Sequence, residues 1–178
     1  MKDALINRRE FLRNLGVIGA GTLLSISSWL SVFSEVVETS GEKCRLAIIG
    51  TGSRGRFLMS FLLQNPKVEI VALCDIYQPS MEKALNLVRE AKVYTDYRKV
   101  LENKTVDAVL VATPLNLHCQ IVLDAFDAGK HVFCEKSIGF TMEECFRIYK
   151  KHISTGKVFF TGQQRLFDPR YIKAMEMI

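Results

Sequence analysis

The sequence lacks the patterns that mark several common functional classes. Its five cysteines include no Cys-x-x-Cys pair and are odd in number, so neither a zinc site nor a disulfide framework is predicted. The formal net charge is +5, but no basic stripe with interleaved aromatics is present, so nucleic acid is not a predicted partner. No repeat or low-complexity segment competes with a globular fold. With 48% hydrophobic and 24% charged residues in 178 positions, the chain fits one globular domain with a sizeable core.

The N-terminal segment, residues 1–34, has the layout of an export signal. A basic stretch at residues 7–13, Asn-Arg-Arg-Glu-Phe-Leu-Arg, precedes an uncharged stretch at residues 14–34. The paired arginines followed by Phe-Leu resemble the twin-arginine motif of proteins that are exported already folded. Because no Ala-x-Ala cleavage site and no lipobox cysteine follow, a cleaved signal and an uncleaved membrane anchor both stay open. We therefore expect a periplasmic or otherwise exported protein, with membrane contact only through residues 14–34 and a polar linker at residues 35–43.

From residue 44 onward, short apolar runs alternate with amphipathic stretches. The apolar runs predict buried strands at residues 44–50, 68–75, 93–94, 106–113, 131–134 and 157–161. Apolar residues at helical spacing predict helices at residues 54–64, 79–91, 97–102, 118–128, 141–153 and from 169 to the chain end. Strands without polar alternation, separated by helices, indicate a parallel sheet covered on both faces. The predicted fold is therefore a doubly wound α/β domain of the Rossmann type at residues 44–165, with right-handed crossovers.

A glycine-rich loop joins the first predicted strand to the first predicted helix. Residues 50–55, Gly-Thr-Gly-Ser-Arg-Gly, fit the G-x-G-x-x-G pattern. The first glycine permits a tight turn, the second lets the backbone approach a pyrophosphate, and the third lets the helix pack closely against the strand. The helix N-terminus then directs its N–H groups and positive dipole end at the phosphate. The residues predicted to bind the pyrophosphate of a dinucleotide are Gly50, Gly52, Ser53, Arg54 and Gly55.

An acidic residue follows the loop at the distance typical of nicotinamide cofactor sites. Asp75 lies twenty residues after Gly55, at the end of the second predicted strand. A carboxylate there accepts hydrogen bonds from both ribose hydroxyls, although an acid that only caps the strand end is the alternative. Asp75 would repel the 2′-phosphate of NADP, and Ile76 and Tyr77 after it offer no cation. The sequence therefore favours NAD over NADP.

Three further motifs follow in a fixed order along the chain. They are Thr113-Pro114 with Asn116 and His118, then Ala128-Gly-Lys-His-Val132 with Glu135-Lys136, then Gln164-Arg165 with Phe167-Asp168-Pro169 and Tyr171. Together with the glycine loop and Asp75, they resemble the Thr-Pro-x-x-x-His turn and the Glu-Lys-Pro signature of one oxidoreductase family. That family contains glucose–fructose oxidoreductase, inositol dehydrogenase and MocA (Gfo/Idh/MocA), and the resemblance covers residues 44–178.

The resemblance implies an NAD-dependent oxidoreductase that acts on a sugar or cyclitol hydroxyl, in a family that is often homo-oligomeric. In such proteins the Thr-Pro turn lies against the nicotinamide half of the cofactor. The residues implied to lie beside the cofactor are Thr113, Pro114, Asn116, His118 and Glu135. The lysine of the signature contacts the substrate, so Lys136 is the implied catalytic residue. Its ammonium group would stabilise the alkoxide that develops as hydride leaves the substrate.

The sequence departs from the family pattern in two places. Ser137 stands where the signature has proline, which leaves the placement of Lys136 open. The family also has a second domain, an antiparallel sheet that binds substrate, and residues 166–178 resemble only the start of the connection to it. We therefore expect an NAD-binding half, as a fragment or a truncated gene product.

Two other functions stay open on the same residues. A glycosidase with tightly bound NAD would oxidise its sugar, eliminate the leaving group, add water and reduce the product. A non-catalytic fragment would hold the cofactor without turnover. No metal site is predicted in any of these cases.

Overall fold

The computed structural model describes residues 43–163 and 168–177. The predicted export signal, the linker except for Lys43, and the motif residues Gln164, Arg165 and Phe167 lie outside the described residues. The described residues fall into two compact units, the first at residues 43–163 and the second at residues 168–177. In the part that the structure describes, no helix combines the length and the apolar character needed to cross a bilayer.

Six parallel strands form one sheet in the first unit. They are β1 (Cys44–Ile49), β2 (Val68–Cys74), β3 (Lys92–Tyr94), β4 (Ala108–Val111), β5 (His131–Cys134) and β6 (Phe159–Thr161). Their order across the sheet is β3-β2-β1-β4-β5-β6, and every neighbouring pair is parallel. This is the strand order of the dinucleotide-binding doubly wound fold. The prediction of a Rossmann-type α/β domain is therefore confirmed.

Five helices connect the strands in turn. They are α1 (Ser53–Leu62), α2 (Gln78–Leu85), α3 (Tyr97–Glu102), α4 (His118–Asp127) and α5 (Met142–Thr155). The second unit contains α6 (Pro169–Glu176), which Asp168 caps by accepting a hydrogen bond from the Arg170 N–H at 3.0 Å.

The central strands are buried on both faces, which explains why their sequences do not alternate. Residues 46–49 of β1 and all of β4 are buried, as are most of the apolar residues of α4 that pack on the sheet. A strand covered by helices on both sides needs apolar side chains at every position. The burial of these strands on both faces therefore explains the uninterrupted apolar runs in the sequence.

The main error of the sequence prediction concerns α2. A helix was expected from residue 79 to residue 91, but α2 ends at Leu85 and Asn86 is its C-cap. Only Met81 and Ala84 of the helix are buried, and Leu87 is exposed after it. After Asn86 the chain turns back toward β3, and the next buried side chain is Ala91. The fourth and last strands are also shorter than expected, beginning at Ala108 and Phe159.

Candidate functional site

The sheet edge at the carboxyl ends of the strands gathers all the predicted site residues. Strands β1, β4 and β5 are neighbours, so the turns that follow them, at residues 50–55, 112–118 and 135–137, lie side by side. The end of β2 contributes Asp75 on the other side of the glycine loop. The strand order reverses between β1 and β4, and ligands of open α/β sheets bind in the crevice at such a point.

The three glycines of the loop have different structural roles. Gly50 has a φ of +95°, and a Cβ there would lie 2.6 Å from the backbone of Ala112. A Cβ on Gly55 would lie 2.1 Å from the Gly50 carbonyl oxygen. A Cβ on Gly52 would meet nothing within 4 Å. The first and third glycines are therefore required by packing, whereas a side chain at the second would project into open space, where the glycine pattern places a pyrophosphate.

Neither the N-cap nor the first turn of α1 supplies a side chain that neutralises the N-terminus of this helix. Its N-cap, Gly52, has no side chain to bind the first N–H groups, and the first turn contains no acidic residue. Helix N-terminal N–H groups and the helix dipole attract anions. Arg56 steadies the loop by donating from Nη1 to the Thr51 carbonyl oxygen at 2.6 Å. The loop residues thus fit the pyrophosphate of a dinucleotide.

Asp75 is fixed beside the loop by three hydrogen bonds. Its Oδ2 accepts from the Thr51 N–H at 2.7 Å and from the Thr51 hydroxyl at 3.0 Å. Its Oδ1 accepts from the Tyr77 N–H at 2.9 Å. An ionised carboxylate has about four acceptor sites, so capacity is left for a ribose hydroxyl. Thr51 was not predicted as a site residue, because the pattern leaves its position in the loop unspecified.

Thr113 carries an unsatisfied polar atom at the end of β4. Its Oγ1 is buried and has no hydrogen-bond partner among residues 43–163 and 168–177. Leaving a buried hydroxyl unpaired costs about 1–3 kcal/mol, so such a group indicates a missing ligand or water. Pro114 and Asn116 are exposed in the turn that follows. This orphaned hydroxyl fits the predicted place of Thr113 beside the cofactor.

His118 lies behind this turn as the first residue of α4. The residue is 1% exposed, and its ring nitrogens contact two backbone carbonyls. Nε2 is 2.8 Å from the Thr113 oxygen, and Nδ1 is 2.6 Å from the Ser137 oxygen. The imidazole therefore ties the turn after β4 to the turn after β5. Its predicted contact with the cofactor stays a prediction.

Glu135 and Arg54 form an ion pair that joins the end of β5 to the glycine loop. Glu135 is 5% exposed, and its Oε1 accepts from Arg54 Nε at 2.8 Å and from Nη2 at 2.7 Å. The Arg54 guanidinium also lies 5.3 Å from the centre of the Phe57 ring. The sequence predicted both residues at this edge, but no local pattern indicates that they pair.

Lys136 is exposed at the same edge, directly after Glu135. Its backbone N–H donates to Glu135 Oε2 at 3.1 Å, and the Lys136–Ser137 peptide bond is cis. The side chain is thus available to a ligand in the crevice. Its catalytic role stays a prediction.

The cysteines of the described residues are free thiols. Burial raises the pKa of Cys44 to about 12, and burial, reinforced by the nearby Asp75, raises that of Cys74 to about 12. Burial also raises the pKa of Cys134, the last residue of β5. Because only the thiolate is a strong nucleophile, these buried thiols are inert core residues.

Comparison with known proteins agrees with this geometry. The model of the oxidoreductase family with an NAD-binding Rossmann fold matches residues 44–163. The chain is 31% identical to a glycosyl hydrolase family 109 protein of Stenotrophomonas maltophilia, over 97% of this chain and 39% of that protein. It is 30% identical to an alpha-N-acetylgalactosaminidase of Shewanella oneidensis, over 80% of this chain and 36% of that protein.

A solved structure shows the same arrangement of elements. The crystal structure of myo-inositol 2-dehydrogenase from Lactobacillus plantarum has a TM-score of 0.70 and 29% identity, over 76% of this chain and 41% of that one. The chain thus spans between 36% and 41% of the length of these three relatives. The family match covers the glycine loop, Asp75 and the Glu135-Lys136 pair, and the predicted cofactor is the one that the family binds. The chain belongs to the Gfo/Idh/MocA oxidoreductase family and carries its NAD-binding Rossmann fold.

Proposed function

We propose that the chain is the NAD-binding half of an oxidoreductase that acts on a hydroxyl group of a sugar or cyclitol. The observation that carries the proposal is the convergence, at one sheet edge, of the open glycine loop, the orphaned Thr113 hydroxyl and the exposed Lys136. The first of these suits a pyrophosphate, the second a polar group of the nicotinamide half, and the third a substrate hydroxyl. The inositol dehydrogenase among the structural relatives supports the substrate class.

In this proposal each residue has a separate task. The N–H groups at the start of α1 hold the pyrophosphate, and Asp75 accepts a hydrogen bond from a ribose hydroxyl. The Thr113 hydroxyl orients the nicotinamide half. NAD supplies the hydride acceptor. The Lys136 ammonium donates a hydrogen bond to the substrate oxygen and stabilises the developing alkoxide, while the hydroxyl proton passes to solvent water.

Cofactor choice is the most direct test of the proposal. We expect the purified protein to bind NAD more tightly than NADP in a calorimetric titration, because the Asp75 carboxylate repels a 2′-phosphate. Asp75→Asn should weaken NAD binding by about tenfold, which is what the loss of a hydrogen bond to a charged group costs in affinity. The same substitution should reduce the difference in affinity between NAD and NADP.

A surface substitution provides the matched control for this titration. The Asp127 carboxylate is exposed and pairs with Lys151 on the protein surface. Asp127→Asn removes a carboxylate as Asp75→Asn does, but it should leave NAD affinity unchanged. Absence of NAD binding by the unsubstituted protein, or equal affinities for all three proteins, would refute the proposed function.

A second function is favoured by the names of two relatives. A glycosyl hydrolase family 109 protein and an alpha-N-acetylgalactosaminidase match most of this chain. The same half-site would serve a glycosidase in which the sugar is first oxidised, loses its leaving group by elimination, adds water and is reduced again. Assays with inositols and with N-acetylhexosaminides separate the two functions. Steady formation of NADH supports the dehydrogenase, whereas release of free sugar without net NADH supports the glycosidase.

A further inference from the structure

Glu135 carries the most deeply buried carboxylate at the candidate site. Its carboxylate is enclosed by three elements, since Arg54 approaches from α1, Lys136 follows it in the chain, and Gly162 lies beside it after β6. A Cβ on Gly162 would come within 2.8 Å of Glu135 Oε1. No side chain other than hydrogen fits there without displacing the carboxylate. Glu135 is thus held in one place by packing as well as by hydrogen bonds.

The charge of this carboxylate requires a partner that stays in place. A carboxylate that is only 5% exposed is strongly destabilised when its cation is removed. Arg54 supplies that cation through Nε and Nη2, and its side chain is 43% exposed. A guanidinium has five N–H donors, so Arg54 keeps donors that Glu135 does not use. The pair can therefore stay intact while Arg54 binds a further anion.

The position of the pair places those donors in the dinucleotide crevice. Arg54 belongs to the glycine loop after β1, and Glu135 follows β5. Because β4 lies between β1 and β5, the Arg54 side chain crosses the end of β4, where the strand order reverses. Glu135 directs the Arg54 guanidinium toward the end of β5, whereas the Phe57 ring that it also contacts belongs to α1. The pair therefore pre-organises a cation at the place where a pyrophosphate would bind.

We infer that Glu135 is a positioning residue that acts through Arg54. Glu135 holds the guanidinium across the crevice, and the remaining N–H groups of Arg54 bind the pyrophosphate of NAD. The inference rests on the proposed function. It differs from the expectation that Glu135 itself contacts the cofactor, since Glu135 is only 5% exposed and its carboxylate is held by Arg54 and the Lys136 N–H.

A double-mutant cycle on NAD affinity tests the inference. We expect Arg54→Gln and Glu135→Gln each to weaken NAD binding by about tenfold, the size of a hydrogen bond between charged groups. The doubly substituted protein should be no weaker than Arg54→Gln alone, because Glu135 contributes only through Arg54. Arg54→Lys, which keeps the charge, should recover part of the loss. If the loss of NAD affinity in the doubly substituted protein equals the product of the two single losses, Glu135 binds NAD directly, and the inference is overturned.

Two smaller ligands separate positioning from a general structural role. ADP contains the pyrophosphate, whereas adenosine has only the part of NAD near Asp75. We expect Arg54→Gln and Glu135→Gln to lower the affinity for ADP and to leave the affinity for adenosine unchanged. If the affinity for adenosine falls as much as the affinity for ADP, the ion pair only maintains the fold, and this too would overturn the inference.

An ion pair at the opposite end of the same sheet provides the matched control. Arg45 Nη2 lies 2.8 Å from Asp107 Oδ1, at the start of β1 and just before β4. Arg45→Gln and Asp107→Asn should change NAD affinity by less than about twofold, since no ligand is expected there. If the unsubstituted protein fails to bind NAD, the proposed function itself fails. If it binds NAD and the cycle gives independent losses, only the inference on Glu135 fails.

Discussion

At the scale of single residues, the site contains groups whose bonding is incomplete and groups whose bonding is complete. Thr113 Oγ1 is buried without a partner in the described part of the chain, whereas the buried carboxylate of Glu135 is bound by Arg54 and by the Lys136 N–H. Buried polar groups in folded proteins are nearly always satisfied. An orphaned hydroxyl next to an open glycine loop is therefore the strongest single sign that a ligand completes the structure.

Replacing Thr113 with valine should separate stability from binding. Thr113→Val removes the unpaired hydroxyl at nearly constant volume. The free energy of unfolding of the ligand-free protein should therefore rise by about 1 kcal/mol, and its unfolding midpoint should move to a higher denaturant concentration. The same substitution removes a donor to the cofactor, so NAD affinity should fall by about tenfold. Urea unfolding and calorimetry measure the two effects. A variant that loses both stability and NAD affinity would mean that the hydroxyl already has a partner in the free protein.

The contacts that complete the site could not be predicted from the sequence. Glycine spacing and the position of Asp75 identify the loop and the acid, because these depend on residues close together in the chain. The bond from Arg54 to Glu135 joins residues 81 apart, and the contact of His118 with Ser137 joins residues 19 apart. Such contacts depend on which strands are neighbours in the sheet. Local patterns therefore give the list of residues but not the bonds between them.

At the scale of elements, apolar runs predicted the strands better than periodicity predicted the helix ends. Strand β5 and helix α3 have the expected bounds, because a continuous buried run and a clear N-cap at Asp96 define them. Helix α2 stops early, because its end depends on how many turns find a surface to pack on, which sequence periodicity does not report. The export signal, at residues 1–34, lies outside the described residues and stays a prediction.

Two histidines make the β5–α5–β6 region sensitive to acid. Burial, aided by Lys157, lowers the pKa of His131, whose Nδ1 accepts a hydrogen bond from the Val158 N–H at 3.0 Å. Burial lowers the pKa of His152, whose ring packs against Phe126 and Phe159. The unfolded chain therefore binds more protons than the folded one just below the ordinary histidine pKa of about 6.5. Stability should be constant above that pH and should fall as the pH drops below it.

Thermal unfolding between pH 8 and pH 5 measures this effect. The melting temperature should fall by several degrees below pH 6.5, while a doubly substituted protein, His131→Asn with His152→Phe, should show a flatter profile. Asp107, whose carboxyl pKa is lowered, does not obscure the comparison, since it titrates below this range. An unchanged acid profile in the substituted protein would assign the sensitivity to other groups.

At the scale of the whole molecule, a folded-export signal and a nicotinamide cofactor are consistent with each other. A protein that folds before export can load its cofactor in the cytoplasm, where thiols stay reduced, and its cysteines are buried free thiols or, for Cys145, partly buried. We propose that the paired arginines, Arg8 and Arg9, direct this export. The proposal rests on the sequence motif alone.

Export of a folded reporter tests the motif. Residues 1–43 fused to a fluorescent protein that matures only before export should carry fluorescence to the bacterial periplasm. Replacing both Arg8 and Arg9 with lysine keeps the net charge of the segment and should still abolish periplasmic fluorescence, because receptors of this route read the arginine pair rather than charge. Arg13→Lys, outside the pair, is the matched control and should export normally. Periplasmic fluorescence that persists without the arginine pair would show that residues 1–43 do not use a twin-arginine route.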